Sequence, residues 1–582
     1  MNDLMLQVRD LRTSFFTDRG EVRAVDGVSF DVPRGSTVCV VGESGSGKTA
    51  MARSVLQVVD RPGRVVSGSI GYRAEPDSAP VDLAGMDPRG KAIRGIRGKE
   101  ISMIFQEPMS SLSPVHTVGR QIIELLTEHE GLKRRDPAAR ERVIDALRGV
   151  GIPRAEERID AYTFQLSGGM RQRAMIAMAL ITNPRLVIAD EPTTALDVTT
   201  QAQILDLLAE LKESAGLSLM FITHDLGVVA EIADSVVVMR HGKVVETGPV
   251  DQIFHDPQHD YTKELLSSLP QRGERGNGRA VITPRRAPSA DAGERPPLLE
   301  VDQLSMAFTT SSGRRLGPRR KTVVKAVDGV SFQVRPGQTL GIVGESGCGK
   351  TTLGRTLLRA YRPSSGAIRY RAEPDAAAVD LAGLRERELL PYRRQLRMIF
   401  QDPYSSLNPR MTVQQVVAEP LHAGGETRRE VLRDRAAEAL RRVGLRPDML
   451  NRYPHAFSGG ERQRIGIARA LITGPKLVVA DEAVSALDVS VRTQVLELLA
   501  ELQHELGLTY VFVSHDLSVV ERVCDEVAVM YFGKIVEHGP ASAIFDDPQH
   551  DYTKALLSAV PIADPDERGT RQRIEYRPEP VG

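Results

Sequence analysis

The stretch Gly42-Glu43-Ser44-Gly45-Ser46-Gly47-Lys48-Thr49 follows an apolar run, Val38 to Val41, and precedes apolar residues at helical spacing. A glycine-rich loop between a buried strand and a helix can bind phosphate, because its backbone N–H groups turn towards an anion at the helix N-terminus. Lys48 is predicted to reach the terminal phosphates, and the Thr49 hydroxyl to ligate Mg²⁺. The predicted nucleotide-binding residues of this loop are Gly42, Ser44, Gly45, Gly47, Lys48 and Thr49.

A second loop, Gly344-Glu345-Ser346-Gly347-Cys348-Gly349-Lys350-Thr351, also follows an apolar run. Lys350 lies 302 positions after Lys48, and most later motifs recur 291 positions apart, as Ser167 and Ser458 do. A constant offset over so long a stretch indicates duplication of a whole domain. The predicted nucleotide-binding residues of the second loop are Gly344, Ser346, Gly347, Gly349, Lys350, Thr351 and Thr352.

Composition narrows the class of protein. A chain of 582 residues suggests roughly two to four domains, and equal numbers of basic and acidic residues, 76 each, point to neither nucleic acid nor an acidic partner. The three cysteines are far apart and fit a reducing compartment without a disulfide framework or a metal site. The sequence has neither the apolar core of a signal peptide nor an apolar run of about 18 residues. We therefore expect a soluble, cytoplasmic chain that reaches a membrane only through partner chains.

The chain divides into two large domains with a polar connection. We predict domain 1 over residues 1–270, a flexible linker over 271–297, domain 2 over 298–561 and a disordered tail over 562–582. The linker is rich in Gly, Pro, Arg and Ala without apolar periodicity, and the tail is charged and contains proline. The basic residues of the linker are interrupted by acidic ones, which favours a solvated linker over a surface that binds lipid or RNA.

Each half carries an acidic pair after a short apolar strand, the edge at which open parallel sheets hold ligands. The aspartate there is predicted to hold Mg²⁺ opposite the loop threonine, and the glutamate to orient or deprotonate an attacking water. A glutamine after an earlier strand would complete the metal and water shell, and a histidine after a later strand would sense the γ-phosphate. These candidates are Gln106, Asp190, Glu191 and His224 in the first half, and Gln401, Asp481, Glu482 and His515 in the second.

Two further stretches carry a family resemblance. Leu166-Ser167-Gly168-Gly169-Met170-Arg171-Gln172-Arg173 and Phe457-Ser458-Gly459-Gly460-Glu461-Arg462-Gln463-Arg464 resemble the signature motif of ABC ATPases, and the match extends over nearly the whole chain. The resemblance implies an α/β fold with two tandem P-loop NTPase domains of the ABC type. Each would have a mainly parallel sheet core, an N-terminal antiparallel β subdomain and a helical subdomain.

The resemblance also implies which residues share a site. In this family two domains pack head to tail, and each ATP lies between the phosphate loop of one domain and the signature of the other. The first loop would pair with Ser458, Gly459 and Gly460, and the second with Ser167, Gly168 and Gly169. Phe15 and Phe308 fall where the family stacks an aromatic ring on adenine, although a strand residue would also explain each of them.

A narrower resemblance concerns transport. The stretches Gln106 to Pro114 and Gln401 to Pro409, together with a repeated Pro-Gln-His-Asp-Tyr-Thr segment, are similar to the oligopeptide/dipeptide and nickel importer ATPases. The resemblance implies two integral-membrane permease subunits, an extracytoplasmic substrate-binding protein and a peripheral position on the cytoplasmic face of the membrane. The helical blocks, Thr117 to Gln165 and Thr412 to Phe457, would receive the permease loops.

Departures from the family pattern leave some points open. Ala50 replaces the second hydroxyl of the loop, which the other half keeps as Thr352, whereas both halves keep the glutamate and histidine, so we expect two competent sites. Neither half has the cysteine-bearing extension of many relatives, so no iron–sulfur cluster is expected. Nickel, glutathione or another small solute stays an alternative cargo to peptides. A soluble tandem ABC ATPase acting on ribosomes or nucleic acid is disfavoured, because its domains are typically joined by a charged helical linker.

Overall fold

The computed structural model describes most of the chain as two compact units, Met1–Leu269 with Ala559–Gln572, and Pro270–Ser558 with Arg573–Gly582. Residues 271–295 of the predicted linker lie outside the described residues. So do residues 107–110 and 403–405, which belong to the stretches Gln106 to Pro114 and Gln401 to Pro409. Within the part that is described, no helix combines the length and apolar character needed to cross a membrane. The described residues are 3–18, 20–106, 111–193, 196–267, 296–312, 320–402, 406–485, 487, 489–570, 572–574 and 576.

The strands of the first unit form two sheets. The central sheet has the order β10-β9-β3-β8-β7-β6, in which only β10 runs antiparallel to its neighbour. The strands β3, β7 and β8 are buried along their whole length, as expected for a parallel sheet covered on both faces. The second sheet, β2-β1-β4-β5, is antiparallel. The bounds are β1 Leu4–Thr17, β2 Gly20–Pro33, β3 Thr37–Val41, β4 Gly63–Tyr72, β5 Val81–Asp82, β6 Ile101–Ile104, β7 Leu186–Asp190, β8 Ser218–Ile222, β9 Ser235–Arg240 and β10 Lys243–Pro249.

Several helices of the first unit begin at polar residues that cap them. Thr117, Ser167, Asp197 and Asp225 each accept a hydrogen bond from a backbone N–H of the first turn, which satisfies donors that a helix start leaves unpaired. The bounds are α1 Lys48–Val55, α2 Lys91–Ile96, α3 Val118–Glu130, α4 Pro137–Gly149, α5 Ala155–Arg158, α6 Gly168–Leu180, α7 Val198–Ala215, α8 Leu226–Ile232, α9 Val250–His255 and α10 Asp260–Ser267.

Two apolar layers position the site. One packs α1 and the antiparallel sheet against one face of the central sheet, and includes Met51, Val55 and Ile188. The other packs α3, α4, α6 and α7 on the opposite face, and includes Ile122 and Ile176. Burying both faces of the central sheet fixes the carboxyl ends of its strands, from which the site residues extend.

The second unit repeats this architecture, with the sheets β12-β11-β14-β15 and β16-β17-β18-β13-β19-β20. Its strands are β11 Leu299–Ser312, β12 Arg320–Val334, β13 Thr339–Val343, β14 Ser365–Tyr370, β15 Val379–Asp380, β16 Leu396–Ile399, β17 Leu477–Asp481, β18 Thr509–Val513, β19 Glu526–Tyr531 and β20 Lys534–Pro540. Its helices are α11 Lys350–Leu357, α12 Glu386–Gln395, α13 Val413–Ala423, α14 Arg429–Arg442, α15 Gly459–Leu471, α16 Val489–Leu506, α17 Leu517–Val523, α18 Ala541–Asp546 and α19 Asp551–Ser558. The predicted fold class, two tandem α/β domains with antiparallel and helical subdomains, is confirmed.

Within residues 562–582, for which the sequence predicts a disordered tail, the structure describes residues 562–570, 572–574 and 576, and part of this segment is folded. A 3₁₀ helix covers Pro565–Glu567, and Pro565 is buried. The Arg568 guanidinium donates to the carbonyl oxygens of Ala233, at 3.0 Å, and Ile232, at 3.4 Å, at the C-terminal end of α8. An arginine at the C-terminal end of a helix satisfies carbonyls that the helix leaves unpaired, which explains the order of this segment.

Candidate nucleotide-binding sites

The first phosphate loop connects β3 to α1 in a conformation that needs glycine at two positions. Gly42 and Gly47 have φ of 149° and 100°, in the region that side chains other than glycine rarely adopt. A Cβ atom at either position would also lie 2.2 Å from a backbone oxygen, that of Met239 for Gly42 and that of Ala24 for Gly47. The loop is therefore held by close backbone packing as well as by its own turns.

Lys48 is the first residue of α1, and its side chain is almost fully buried. Its Nζ donates to the carbonyl oxygens of Gly42, at 2.6 Å, and Glu43, at 2.8 Å. The ammonium group therefore lies inside the curve of the loop, at the N-terminus of a helix. A cation there, with the partial positive charge of the helix start, favours an anionic ligand.

The next residue of α1 reaches the acidic pair. Thr49 Oγ1 donates to Asp190 Oδ1 at 3.0 Å, whereas the buried Asp190 Oδ2 has no hydrogen-bond partner within the described part of the chain. Burial raises the pKa of Asp190 to about 6, and the negative charge of Glu191 adds to this, against the opposing effects of the Thr49 hydrogen bond and the Arg53 and Lys48 charges. A buried carboxylate oxygen without a donor, beside a hydroxyl, is the oxygen-rich environment that Mg²⁺ prefers. The predicted residues fit that ion.

Glu191 connects two other predicted residues. Gln106 Nε2 donates to Glu191 Oε2 at 2.8 Å, and His224 Nδ1 lies 3.3 Å from Glu191 Oε1. Glu191 adopts a left-handed backbone with φ of 47°, while its N–H donates to Ile222 O on β8. Residues other than glycine pay about 1–3 kcal/mol for such a conformation, which the contacts around Glu191 must offset. The structure places Gln106 on Glu191 rather than on Asp190, and its metal-binding role stays a prediction.

The second unit reproduces this arrangement. Thr351 Oγ1 donates to Asp481 Oδ1 at 3.0 Å, Gln401 Nε2 donates to Glu482 Oε2 at 2.6 Å, and His515 Nδ1 lies 3.2 Å from the same oxygen. Glu482 also has a left-handed backbone, with φ of 48°. The two halves therefore share both the hydrogen bonds and the strained glutamate.

The carboxyl groups of the second site differ in how their surroundings act on them. Burial raises the pKa of Asp481, as it does for Asp190. Burial also acts to raise the pKa of Glu482, but the hydrogen bond and charge of His515, with the charge of Lys350, outweigh it and lower this pKa. Glu482 therefore stays ionised at neutral pH, which a residue that accepts a proton requires.

The residue two positions before the loop lysine differs in chemistry between the halves. Cys348 is buried, and Lys350 Nζ donates to its Sγ at 3.9 Å, where the first loop has Ser46 Oγ at 3.4 Å from Lys48 Nζ. Burial raises the pKa of the Cys348 thiol. A protonated, buried thiol is unreactive, which favours the interpretation of Cys348 as a small packing residue.

The signature stretches lie at the starts of α6 and α15. Ser167 Oγ accepts from Met170 N at 3.3 Å, and Ser458 Oγ accepts from Glu461 N at the same distance. A Cβ atom at Gly169 would lie 3.7 Å from Leu196 Cδ2, whereas one at the matching Gly460 would lie 2.4 Å from Val491 Cγ1. Each signature therefore presents a serine and two glycines at a helix N-terminus, a geometry that suits an anion.

The two predicted adenine-stacking rings have different neighbours. Phe15 is half-buried in β1, where a Cβ atom at Gly63 would lie 2.6 Å from its ring. Phe308 is more exposed and meets Tyr361 edge to face, with 5.6 Å between ring centroids. Both lie in the antiparallel sheets, and their role on adenine stays a prediction.

Two tyrosines that the sequence did not single out contact the loops. The Tyr261 hydroxyl accepts from Glu43 N at 3.0 Å, and the Tyr552 hydroxyl accepts from Glu345 N at 3.1 Å. Both belong to the repeated Pro-Gln-His-Asp-Tyr-Thr segment, and this repetition is the one sequence feature that could have marked the two tyrosines. The histidines of this segment, His259 and His550, accept a backbone hydrogen bond through Nδ1 at a helix start.

The fold and the paired sites define a P-loop nucleotide-binding protein with a duplicated domain. The model of the family "ABC transporter" matches residues 25–194 and 327–485, and that of "Oligopeptide/dipeptide transporter, C-terminal region" matches residues 245–294 and 536–581. The "Glutathione import ATP-binding protein GsiA" of Salmonella paratyphi A and that of Escherichia coli K12 are both 46% identical to this chain, covering 98% of it and 91% of their own length. That of Pectobacterium atrosepticum is 45% identical, covering 99% of the chain and 93% of its own length.

The chain belongs to the ABC transporter family, in the group of import ATP-binding proteins. The predictions of an ATPase, of ATP as its nucleotide and of a fused pair of importer-type domains are thereby confirmed.

Proposed function

We propose that this chain energises the import of glutathione or of another short peptide. The observation that carries the proposal is the 46% identity to glutathione import ATP-binding proteins over 98% of the chain. The match of both halves to the C-terminal region of oligopeptide/dipeptide transporters supports short peptides as the wider class of cargo. Nickel and other small solutes stay alternatives. The matches to glutathione import proteins and to the transporter C-terminal region favour transport over action on ribosomes or nucleic acid.

We propose head-to-tail pairing of the two domains, as the family resemblance implies. Each ATP would then lie between the phosphate loop of one domain and the signature of the other. Lys48 and Lys350 would contact the terminal phosphates, and the helix N-termini behind Ser167 and Ser458 would add positive potential to the γ-phosphate. Closure would follow ATP binding, and hydrolysis would reopen the pair.

Mg²⁺ would be held in the first site by Thr49 and Asp190, and in the second by Thr351 and Asp481. When bound, the ion neutralises charge that develops on the phosphate oxygens. Glu191 and Glu482 would orient the attacking water or accept its proton, since each is held by a glutamine and a histidine. His224 and His515 would in turn register the γ-phosphate.

The partners follow from the same resemblance. We propose two permease subunits and an extracytoplasmic substrate-binding protein, with the chain held peripherally at the cytoplasmic face of the membrane. The helical blocks, residues 117–165 and 412–457, would receive the permease loops. We expect no iron–sulfur cluster, because neither half has the cysteine-bearing extension on which many relatives hold one.

The decisive experiment is affinity purification of the tagged chain from native membranes in mild detergent, followed by ATPase assays with candidate cargo. We expect two multispanning permeases and a binding protein to copurify. Glutathione, through the binding protein, should raise ATP hydrolysis more than a dipeptide or nickel does. Stimulation by nickel alone would contradict glutathione or a short peptide as the cargo. Recovery of the chain with ribosomes or nucleic acid, and with no membrane subunit, would contradict a role in transport.

A further inference from the structure

The repeated Pro-Gln-His-Asp-Tyr-Thr segment, residues 257–262 and 548–553, contains no residue that ATP chemistry requires. Its tyrosines are nevertheless buried, with Tyr261 and Tyr552 each 1% exposed. Each hydroxyl accepts a hydrogen bond from the second residue of a phosphate loop in its own unit. The same contact occurs in both halves, so it is a feature of the repeated domain and not of the packing at one site.

The bonded peptide unit also holds the loop lysine. The carbonyl of Gly42 and the N–H of Glu43 belong to one peptide plane: the oxygen accepts from Lys48 Nζ at 2.6 Å, and the N–H donates to the Tyr261 hydroxyl. In the second unit, Gly344 O accepts from Lys350 Nζ at 2.7 Å, and Glu345 N donates to Tyr552. A hydrogen bond at each end of a planar unit fixes its rotation.

We propose that Tyr261 and Tyr552 are positioning residues for ATP binding, which act on the loop lysine through this peptide plane. Loss of the hydroxyl would remove the hydrogen bond that it accepts from the N–H of Glu43 or Glu345 and let the plane rotate. The carbonyl that orients the ammonium group would then turn away from it. The proposal depends on ATP binding by this family and not on the identity of the cargo.

The same arrangement of hydrogen bonds positions the tyrosine in each half of the chain. Glu246, on β10, accepts from Gln258 N at 2.7 Å and His259 N at 3.0 Å, and His259 Nδ1 accepts from Tyr261 N at 3.1 Å. Glu537 and His550 make the same three contacts in the second unit, at 2.7, 3.2 and 3.1 Å. The segment therefore links the last strand of each central sheet to the phosphate loop.

The rings of Tyr261 and Tyr552 have different neighbours, so ring packing does not explain why both halves have a tyrosine at this position. The Arg240 guanidinium lies 4.4 Å from the ring centroid of Tyr261, a cation–π contact. At the matching position of the second unit, Tyr531 packs against Tyr552 with 4.3 Å between centroids. These ring contacts differ between the halves, whereas the hydroxyl contact to the loop is the same in both, and the proposal rests on that contact.

The test uses the full chain with Tyr261→Phe, Tyr552→Phe and the double substitution, which remove only the hydroxyls. We expect the double variant to raise the KM for ATP about tenfold, the ratio that 1.4 kcal/mol represents, with kcat within about twofold of the parent. Hydrogen exchange of the loop peptides, residues 42–48 and 344–350, should accelerate in the variants. Tyr510→Phe is the matched control, because its buried hydroxyl donates to Leu499 O at 3.2 Å, away from both loops.

An unchanged KM would overturn the proposal, as would an equal rise in KM for Tyr510→Phe. A fall in kcat without a change in KM would also contradict it, because it would place the tyrosines in the chemical step. If the double variant does not fold, each single variant still reports the loop exchange of its own unit. None of these readouts needs cargo or permease, so cargo that fails to stimulate ATPase activity leaves the result intact.

Discussion

Replacing Asp190 by asparagine should stabilise the nucleotide-free protein while removing its ability to hold Mg²⁺ in the first site. Asp190 is fully buried, and one of its oxygens has no hydrogen-bond partner among the described residues. A carboxylate held in that way is costly, because burial disfavours its charge. Asparagine has nearly the same shape and keeps an oxygen for the Thr49 hydroxyl, whose distance to the carboxylate is 3.0 Å.

The size of the effect follows from the pKa of Asp190, which burial raises from 3.8 to about 6. Between these values the folded protein binds the proton more tightly than the unfolded chain, so stability falls as pH rises from about 4 to about 6. Above that range the cost is constant at about 3 kcal/mol, since one pH unit represents 1.36 kcal/mol. The buried NH₂ group of asparagine has no acceptor, which costs about 1–2 kcal/mol and offsets part of the gain from removing the charge. A net gain of about 1–2 kcal/mol at neutral pH is expected.

The assay is urea and thermal unfolding from pH 4.5 to pH 8, with EDTA and without nucleotide. Asp190→Asn should unfold at a higher temperature than the parent at pH 8, and this advantage should shrink as pH falls below 6. Asp160→Asn is the control for net charge, because Asp160 forms an exposed ion pair with Arg140 and its loss should change stability by less than about 1 kcal/mol. A variant less stable than the parent at pH 8, or an advantage independent of pH, would refute the reasoning.

Two further predictions concern catalysis. Glu191→Gln and Glu482→Gln should each bind ATP. Together they should lower hydrolysis about 10²- to 10⁴-fold, because the group proposed to accept the proton is lost. Full turnover in the double variant, measured as phosphate release, would exclude a catalytic role for these residues. Head-to-tail pairing predicts that Lys48→Ala and Gly459→Asp disable the same site, so their combination should retain the ATPase activity of the other site. Lys48→Ala with Gly168→Asp should abolish hydrolysis, and equal residual activity in the two combinations would contradict the pairing.

The phosphate loops were predictable from sequence because their requirements are local. At Gly42 and Gly47 the backbone has positive φ, and a Cβ atom would lie 2.2 Å from a backbone oxygen, so only glycine fits these positions. The carboxylates were predictable for a related reason, since a short apolar run that ends in Asp-Glu indicates a buried parallel strand that delivers both residues to one edge.

The strained glutamates and the loop tyrosines were not predictable in this way. The left-handed backbone of Glu191 depends on a hydrogen bond from its N–H to Ile222, a residue of a neighbouring strand, and glutamate has no intrinsic preference for that conformation. Tyr261 lies 218 positions from Glu43. No periodicity or local motif encodes a contact at that separation, and only the repetition of the segment marked it.

The substitution of Ala50 for the hydroxyl present as Thr352 leaves the geometry of the first loop unchanged. Ser54 Oγ donates to Ala50 O at 2.6 Å, and Thr356 Oγ1 donates to Thr352 O at 2.7 Å, so the same bond supports each helix start regardless of the side chain at that position. The lysine to loop and threonine to aspartate distances also agree between the halves to within 0.1 Å. Any functional difference caused by Ala50 must therefore arise from a direct contact with phosphate, because distortion of the loop is absent from the described residues.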